Sequence, residues 1–144
     1  MEPTNMQREM KNVAVAALLF AGAAIGAQST IEPLSGLPLP PGFERTADPV
    51  QSYKYCGKNA STVLYVGRQM SDLDQEKAWY TRAMPGAAAF TSITGVKTFI
   101  KSDGTAAVEA AGGFISFFRF SPGLTPAEMK ILGSEPASRA CTAD

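Results

Sequence analysis

Hydrophobic and polar positions change period along the chain, and each period predicts a different element. From Val50 to Arg68, Val, Tyr and Thr recur, with Tyr53 and Tyr55 and then Val63 and Tyr65 at period two. That alternation predicts a β-hairpin turning through Gly57-Lys58-Asn59-Ala60. Cys56, Leu64 and Val66 place apolar groups on the opposite face as well, so one of its strands is expected to be covered on both sides.

Ser71-Asp72-Leu73-Asp74 then opens a helix that Pro85-Gly86 closes. Ser71 is the expected N-cap, and Asp72, Asp74 and Glu76 suit the positive end of the helix dipole. Leu73, Tyr80 and Met84 form the packing face, with Ala83 beside them and Trp79 on the flank. Capping explains the three carboxylates better than a cation site, because no Asp-x-Asp-x-Asp-Gly loop follows.

Between Ala88 and Phe120 the period returns to two. A strand over Ile93–Lys101, an Asp103-Gly104 turn, a return strand over Thr105–Ala111, a Gly112-Gly113 turn and a strand over Phe114–Phe120 make a three-stranded meander. In the last strand Phe114, Ser116, Phe118 and Phe120 share one face, and Ile115, Phe117 and Arg119 the other. Core packing is expected for the phenylalanines in preference to a ligand platform, with Trp79 or Tyr80 above the first face. Glu109 is expected opposite Lys97 as a cross-strand ion pair. Finally, Thr125-Pro126-Ala127-Glu128 combines an N-cap, a proline at the first helical position and a glutamate at the third, predicting a short helix to Leu132 stopped by Gly133 and Pro136.

These elements amount to an α+β fold: an antiparallel sheet of about five strands, a hairpin plus a meander, with one longer helix packed on it and a short C-terminal helix. The organisation expected is a signal peptide over 1–27, a Pro-rich lead-in over 28–49 and a single domain over 50–144. Arg8 and Lys11 precede an uncharged run from Val13 to Ile25, followed by the small residues Gly26 and Ala27. This is the layout of a signal peptide cut after Ala27, and the run is shorter than the roughly 20 residues of a membrane-crossing helix. An uncleaved anchor and a buried Ala-rich helix are the alternatives. The lead-in carries Pro33, Pro38, Pro40, Pro41 and Pro49 with Leu34, Leu37, Leu39 and Phe43, so extended backbone lying on the domain is expected.

Composition narrows the chemistry. The 144 residues carry 13 basic and 13 acidic side chains and no His. Loss of Glu2, Arg8, Glu9 and Lys11 with the signal leaves 11 of each, so the mature chain is neutral too. Neutrality gives no electrostatic footprint for nucleic acid. The absence of His removes the usual general base, the commonest metal ligand and the centre of a Ser-His-Asp triad. No metal-ligand spacing, phosphate loop or nucleophile elbow occurs, so no cofactor, metal or catalytic residue is assigned. Carboxylate pairs are the remaining enzymatic candidates, Glu109 with Asp103 or Asp74 with Glu76, and each has an ordinary use in a turn, a cap or an ion pair.

Export would bring Cys56 and Cys141 into an oxidising compartment, where they are expected to form a disulfide fastening the tail to the first strand. Asn59-Ala60-Ser61 is a glycosylation sequon that matters in a eukaryotic secretory route. The function expected is that of an exported binding or accessory protein, periplasmic or secreted, with no permanent membrane span. The alternative is a protein-interaction subunit of a membrane-associated or surface assembly, and a carboxylate-based enzyme comes third. The candidate interaction surface draws on Pro38, Pro40 and Pro41 of the Pro-x-x-Pro-like lead-in and on Phe117 and Arg119 of the last strand.

Overall fold

A computed structural model describes residues 30–67, 73–134 and 141. The chain divides into two units, Met1–Thr30 and Ile31–Asp144. The expected signal peptide, the expected cap Ser71 with Asp72, and Pro136 lie outside the described residues.

The elements in chain order are β1 (Thr30–Ile31), β2 (Pro38–Leu39), β3 (Phe43–Arg45), β4 (Gln51–Tyr55), β5 (Lys58–Gly67), α1 (Leu73–Ala83), β6 (Ala88–Thr91), β7 (Lys97–Ile100), β8 (Ala106–Ala110), β9 (Phe114–Ser121) and α2 (Pro126–Ser134). Seven strands form one antiparallel sheet in the order β3-β5-β9-β8-β7-β6, with β4 also paired to β5, while β1 and β2 form a separate two-stranded ladder. The α+β class is therefore as expected, but the sheet exceeds the expected five strands at both edges. The lead-in contributes β3, which pairs Phe43 with Gly67. Of the stretch expected as one strand over Ile93–Lys101, only Lys97–Ile100 is strand, β7; its first half is the connection from an additional strand, β6, where Ser92 N–H donates to the Val96 carbonyl and Ile93 stands at the exposed tip.

The long strands β5 and β9 are central, paired from Phe114–Val66 to Ser121–Asn59, and β8 lies on the other side of β9. Alternation then sends the side chains of the sheet into two cores. One contains Tyr55, Ala60, Ile100, Ala107, Phe118 and Phe120, closed by Leu124, Met129 and Leu132 and the two cysteines. The other contains Val63, Tyr65, Phe99, Val108, Ile115 and Phe117, closed by Tyr80 of α1 and by Leu37 and Phe43 of the lead-in. Helix α1 packs on β7 and β8, and α2 on β6 and β7. The expectation that Trp79 or Tyr80 covers Phe118 and Phe120 is thus reversed: α1 lies over Ile115 and Phe117. Tyr80 stacks on Phe99 at 5.6 Å between ring centroids. The sheet is two-sided because the lead-in and α1 together supply enough apolar surface for one face, leaving the other to α2.

Two local expectations also change. The first hairpin turns at Cys56-Gly57, both with positive φ (52° and 75°), not at Gly57–Ala60. Positive φ at both central residues is the requirement of a two-residue turn that matches strand twist. Helix α2 runs to Ser134, passing through Gly133. That glycine is no stop signal. It lets the helix approach the ring of Phe90, which a Cβ would strike.

Candidate functional site

Two buried carboxylates shape the face covered by the lead-in. Glu32 accepts from the backbone N–H groups of Leu34 (3.0 Å) and Ser35 (2.7 Å), from the Ser35 hydroxyl (2.6 Å) and from the Tyr65 hydroxyl (3.1 Å). Its own N–H donates to the Leu37 carbonyl, and Gly36 N–H donates to the Glu32 carbonyl, so Glu32–Leu37 is a closed turn with its charge inside. Four donors to one carboxylate offset the cost of burying it. Glu76 is fully buried and accepts from Gly112 N–H (3.0 Å) and Gly113 N–H (2.8 Å), fixing the β8–β9 turn to α1. Between these charges the Tyr80 hydroxyl donates to the Pro38 carbonyl at 3.0 Å. Burial first, then the charges of Glu76 and Glu32, push its ionisation far above the ordinary tyrosine range. Burial and Glu32 raise the Tyr65 phenol as well. Sequence reasoning placed Glu76 on the helix dipole and passed over Glu32. Glu76 lies three residues after Leu73 and four before Tyr80, so its place on the apolar face was available from spacing alone.

The pinned turn forms one wall of a cleft of about 420 Å³. Its other walls come from Thr105, Phe120 and the end of β9, where Arg119 and Ser121 stand on the same face two positions apart. Arg119 is exposed, and among the described residues its guanidinium and the Ser121 hydroxyl have no hydrogen-bond or ion-pair partner. Among the described residues no acidic side chain lines the cleft. The Thr105 hydroxyl is already committed to Asp103.

The other candidate residues are dispersed. Pro38 is half-buried, Pro40 is interior, and Pro41 is exposed. Phe117 is fully buried in the core beneath α1. Of the five residues proposed for an interaction surface, only Arg119 and Pro41 are exposed, and Arg119 is the one that lines a cleft. Glu109 pairs with Thr98 and Ser116, while Lys97 pairs with Ala110, so the expected Glu109–Lys97 cross-strand pair is displaced by one residue and the two side chains face opposite ways. The charge of Glu109 instead acts on Tyr53, whose phenol is pushed up to about 12, with burial as the larger cause. Asp103 accepts from Thr105 N–H (2.9 Å) and the Thr105 hydroxyl (2.6 Å), which hold its carboxyl below the usual range. It sits in the β7–β8 turn, and Glu109 lies at the far end of that hairpin, so the two carboxylates do not converge. Asp74 is exposed where Glu76 is buried, so the second pair does not converge either.

Cys56 and Cys141 are joined, with Cα atoms 4.9 Å apart. Among the described residues no group of three or more His, Cys, Asp and Glu is placed to hold a metal ion, and no helix is long and apolar enough to cross a membrane. No family model, curated protein or solved structure matches the chain.

Proposed function

We propose that the protein is an exported binding or accessory module of the cell envelope or extracellular space. The observation that carries this reading is the Cys56–Cys141 disulfide, a bond that persists in oxidising compartments and is rare in reducing ones. The signal-like N-terminus supports the same destination. On this reading the double-sided core is a rigid scaffold, and the Arg119 cleft is the surface it presents. The test is mass spectrometry and thiol counting on the protein recovered from cells that secrete it. A mature chain beginning at Gln28 with no free thiol is expected; an intact N-terminus rejects cleavage after Ala27, and two free thiols reject export.

A second reading, a subunit of a surface assembly, is favoured by one feature. Phe114 is 50% exposed and pairs with Val66, beside half-buried Leu64 on the same sheet face. A row of exposed and half-buried apolar side chains on one sheet face suits a protein partner. Native-size chromatography of envelope extracts distinguishes the readings: a free monomer supports the first, and a larger complex that Phe114→Ser disperses supports the second.

A further inference from the structure

We infer that the cleft between the Glu32–Leu37 turn and the end of β9 is a binding site for a single carboxylate, with Arg119 as the residue that recognises it. The inference rests on the binding-module reading and gives it a ligand class. A guanidinium is a rigid planar fork whose paired N–H groups match the two oxygens of a carboxylate. In a neutral protein such a group is commonly answered by a neighbouring Asp or Glu, yet among the described residues Arg119 is not. The carboxylates bonded to the cleft's own lining residues are already occupied, Glu32 by four donors and Asp103 by the N–H and hydroxyl of Thr105.

The rest of the cleft suits an anion with an uncharged body. Ser121, on the same face as Arg119, adds a second donor without a partner among the described residues. Pro33, Leu34 and Gly36 supply uncharged walls, and a volume of about 420 Å³ falls at the small end of ligand sites. Among the described residues no lysine lines the cleft beside Arg119, and one cation balances a monoanion, which favours carboxylate over a phosphate dianion. The wall opposite Arg119 is held in shape by the buried Glu32, so Glu32 acts as a positioning residue and the cleft is formed before a ligand arrives. The carboxylate can belong to a free small acid or to a peptide C-terminus, since both present the same two oxygens.

The test is an amide NMR titration of the full chain, purified under oxidising conditions, following Gly36, Thr105 and Ser121. The probes are acetate, N-acetyl-Ala-Ala with a free C-terminal carboxylate, the amide of that peptide, and inorganic phosphate, all at one ionic strength. Saturable shifts with acetate and the peptide acid, at least tenfold weaker with the peptide amide, are expected. Arg119→Gln should weaken acid binding at least tenfold without moving the thermal midpoint, and Arg119→Lys should recover part of it. Tighter binding of the peptide acid than of acetate identifies a peptide terminus as the source; equal binding identifies a small acid. Equal shifts with acid and amide, no saturation, unchanged binding in Arg119→Gln, or phosphate binding tighter than either acid overturns the site. The acid-against-amide comparison uses the unaltered protein, so it stands whatever the variants do. Failure here leaves export, read from the mature N-terminus and thiols, untouched, and failure of export leaves this titration untouched.

Discussion

Glu76 illustrates what a single side chain does in this fold. Its two oxygens receive the N–H groups of Gly112 and Gly113, which tie the β8–β9 turn to helix α1. Hydrogen bonds to a charged group contribute about 1.5–3 kcal/mol each, and the Gly113 N–H would be left buried without a partner. Glu76→Ala should therefore lower unfolding free energy by about 3 kcal/mol in a urea titration, with Glu76→Gln in between; a loss below about 1 kcal/mol would contradict the role. Tyr53 makes a second prediction at this scale. Its phenol ionises near 10 when unfolded and at about 12 in the fold, so its contribution is fully present below pH 10 and lost as pH rises from 10 to about 12. Tyr53→Phe should flatten that part of the alkaline stability curve, leaving a remainder from Tyr65 and Tyr80, whose phenols are also raised. Glutamates buried by their hydrogen bonds are hard to see in a sequence, because charge normally signals a surface and the donors here, at Gly112, Gly113 and Ser35, are backbone and hydroxyl groups far from any charge pattern.

At the scale of elements, helix α2 carries the clearest relation between sequence and structure. The capping box forms as its residues indicate: Glu128 N–H donates to the Thr125 hydroxyl at 3.2 Å, and Thr125 N–H to the Glu128 carboxylate at 2.9 Å. Lys58 of β5 also bonds that carboxylate, and with the cap holds its pKa low. What local patterning did not reveal was the far end, where Gly133 continues the helix because Phe90 occupies the space a side chain would need. Gly133→Ala should thus cost about 1–3 kcal/mol through overpacking, despite the better helix propensity of Ala. Phe90→Leu, which narrows the opposing side chain, should recover part of that cost; additive losses in the double-mutant cycle would show that the two do not touch. The same division holds elsewhere. The Asp103-Gly104 turn, the alternation of β9 and the existence of α1 are local matters and were readable from residue spacing. The edge strands were not: β3 exists because Phe43 fits over Gly67, and β6 because the hairpin closes through Ser92, and neither condition is written in the strand's own residues. Which face each helix covers is likewise decided by distant segments, chiefly by Leu37 and Phe43 of the lead-in joining Tyr80.

For the molecule as a whole, the sheet has a core on each face, and the chain must be closed around both. The lead-in begins at one face and is fixed there by Glu32 and Tyr65; α2 and Cys141 finish at the other and are fixed by Lys58 and Cys56. With a separation of 85 residues, the disulfide removes loop entropy from the unfolded chain worth roughly 4 kcal/mol. Small domains are commonly stable by about 5–15 kcal/mol, so that bond is a large share of what holds this one folded. Replacing both cysteines by Ser should lower unfolding free energy by roughly 4 kcal/mol, measured by urea titration against the oxidised protein. Position 56 adds a further contrast, because Cys56 holds a left-handed conformation that ordinary side chains adopt only at a cost of about 1–2 kcal/mol. A Cys56→Gly, Cys141→Ser protein should therefore be more stable than the double Ser protein, by up to about 1 kcal/mol. Hydrogen exchange locates the change: without the disulfide, amides of α2 should lose protection before those of β5 and β9, which remain paired on both sides at the centre of the sheet. Simultaneous loss of protection in α2 and the central strands would mean instead that the tail and the sheet unfold as one unit, and that the disulfide acts on global stability alone.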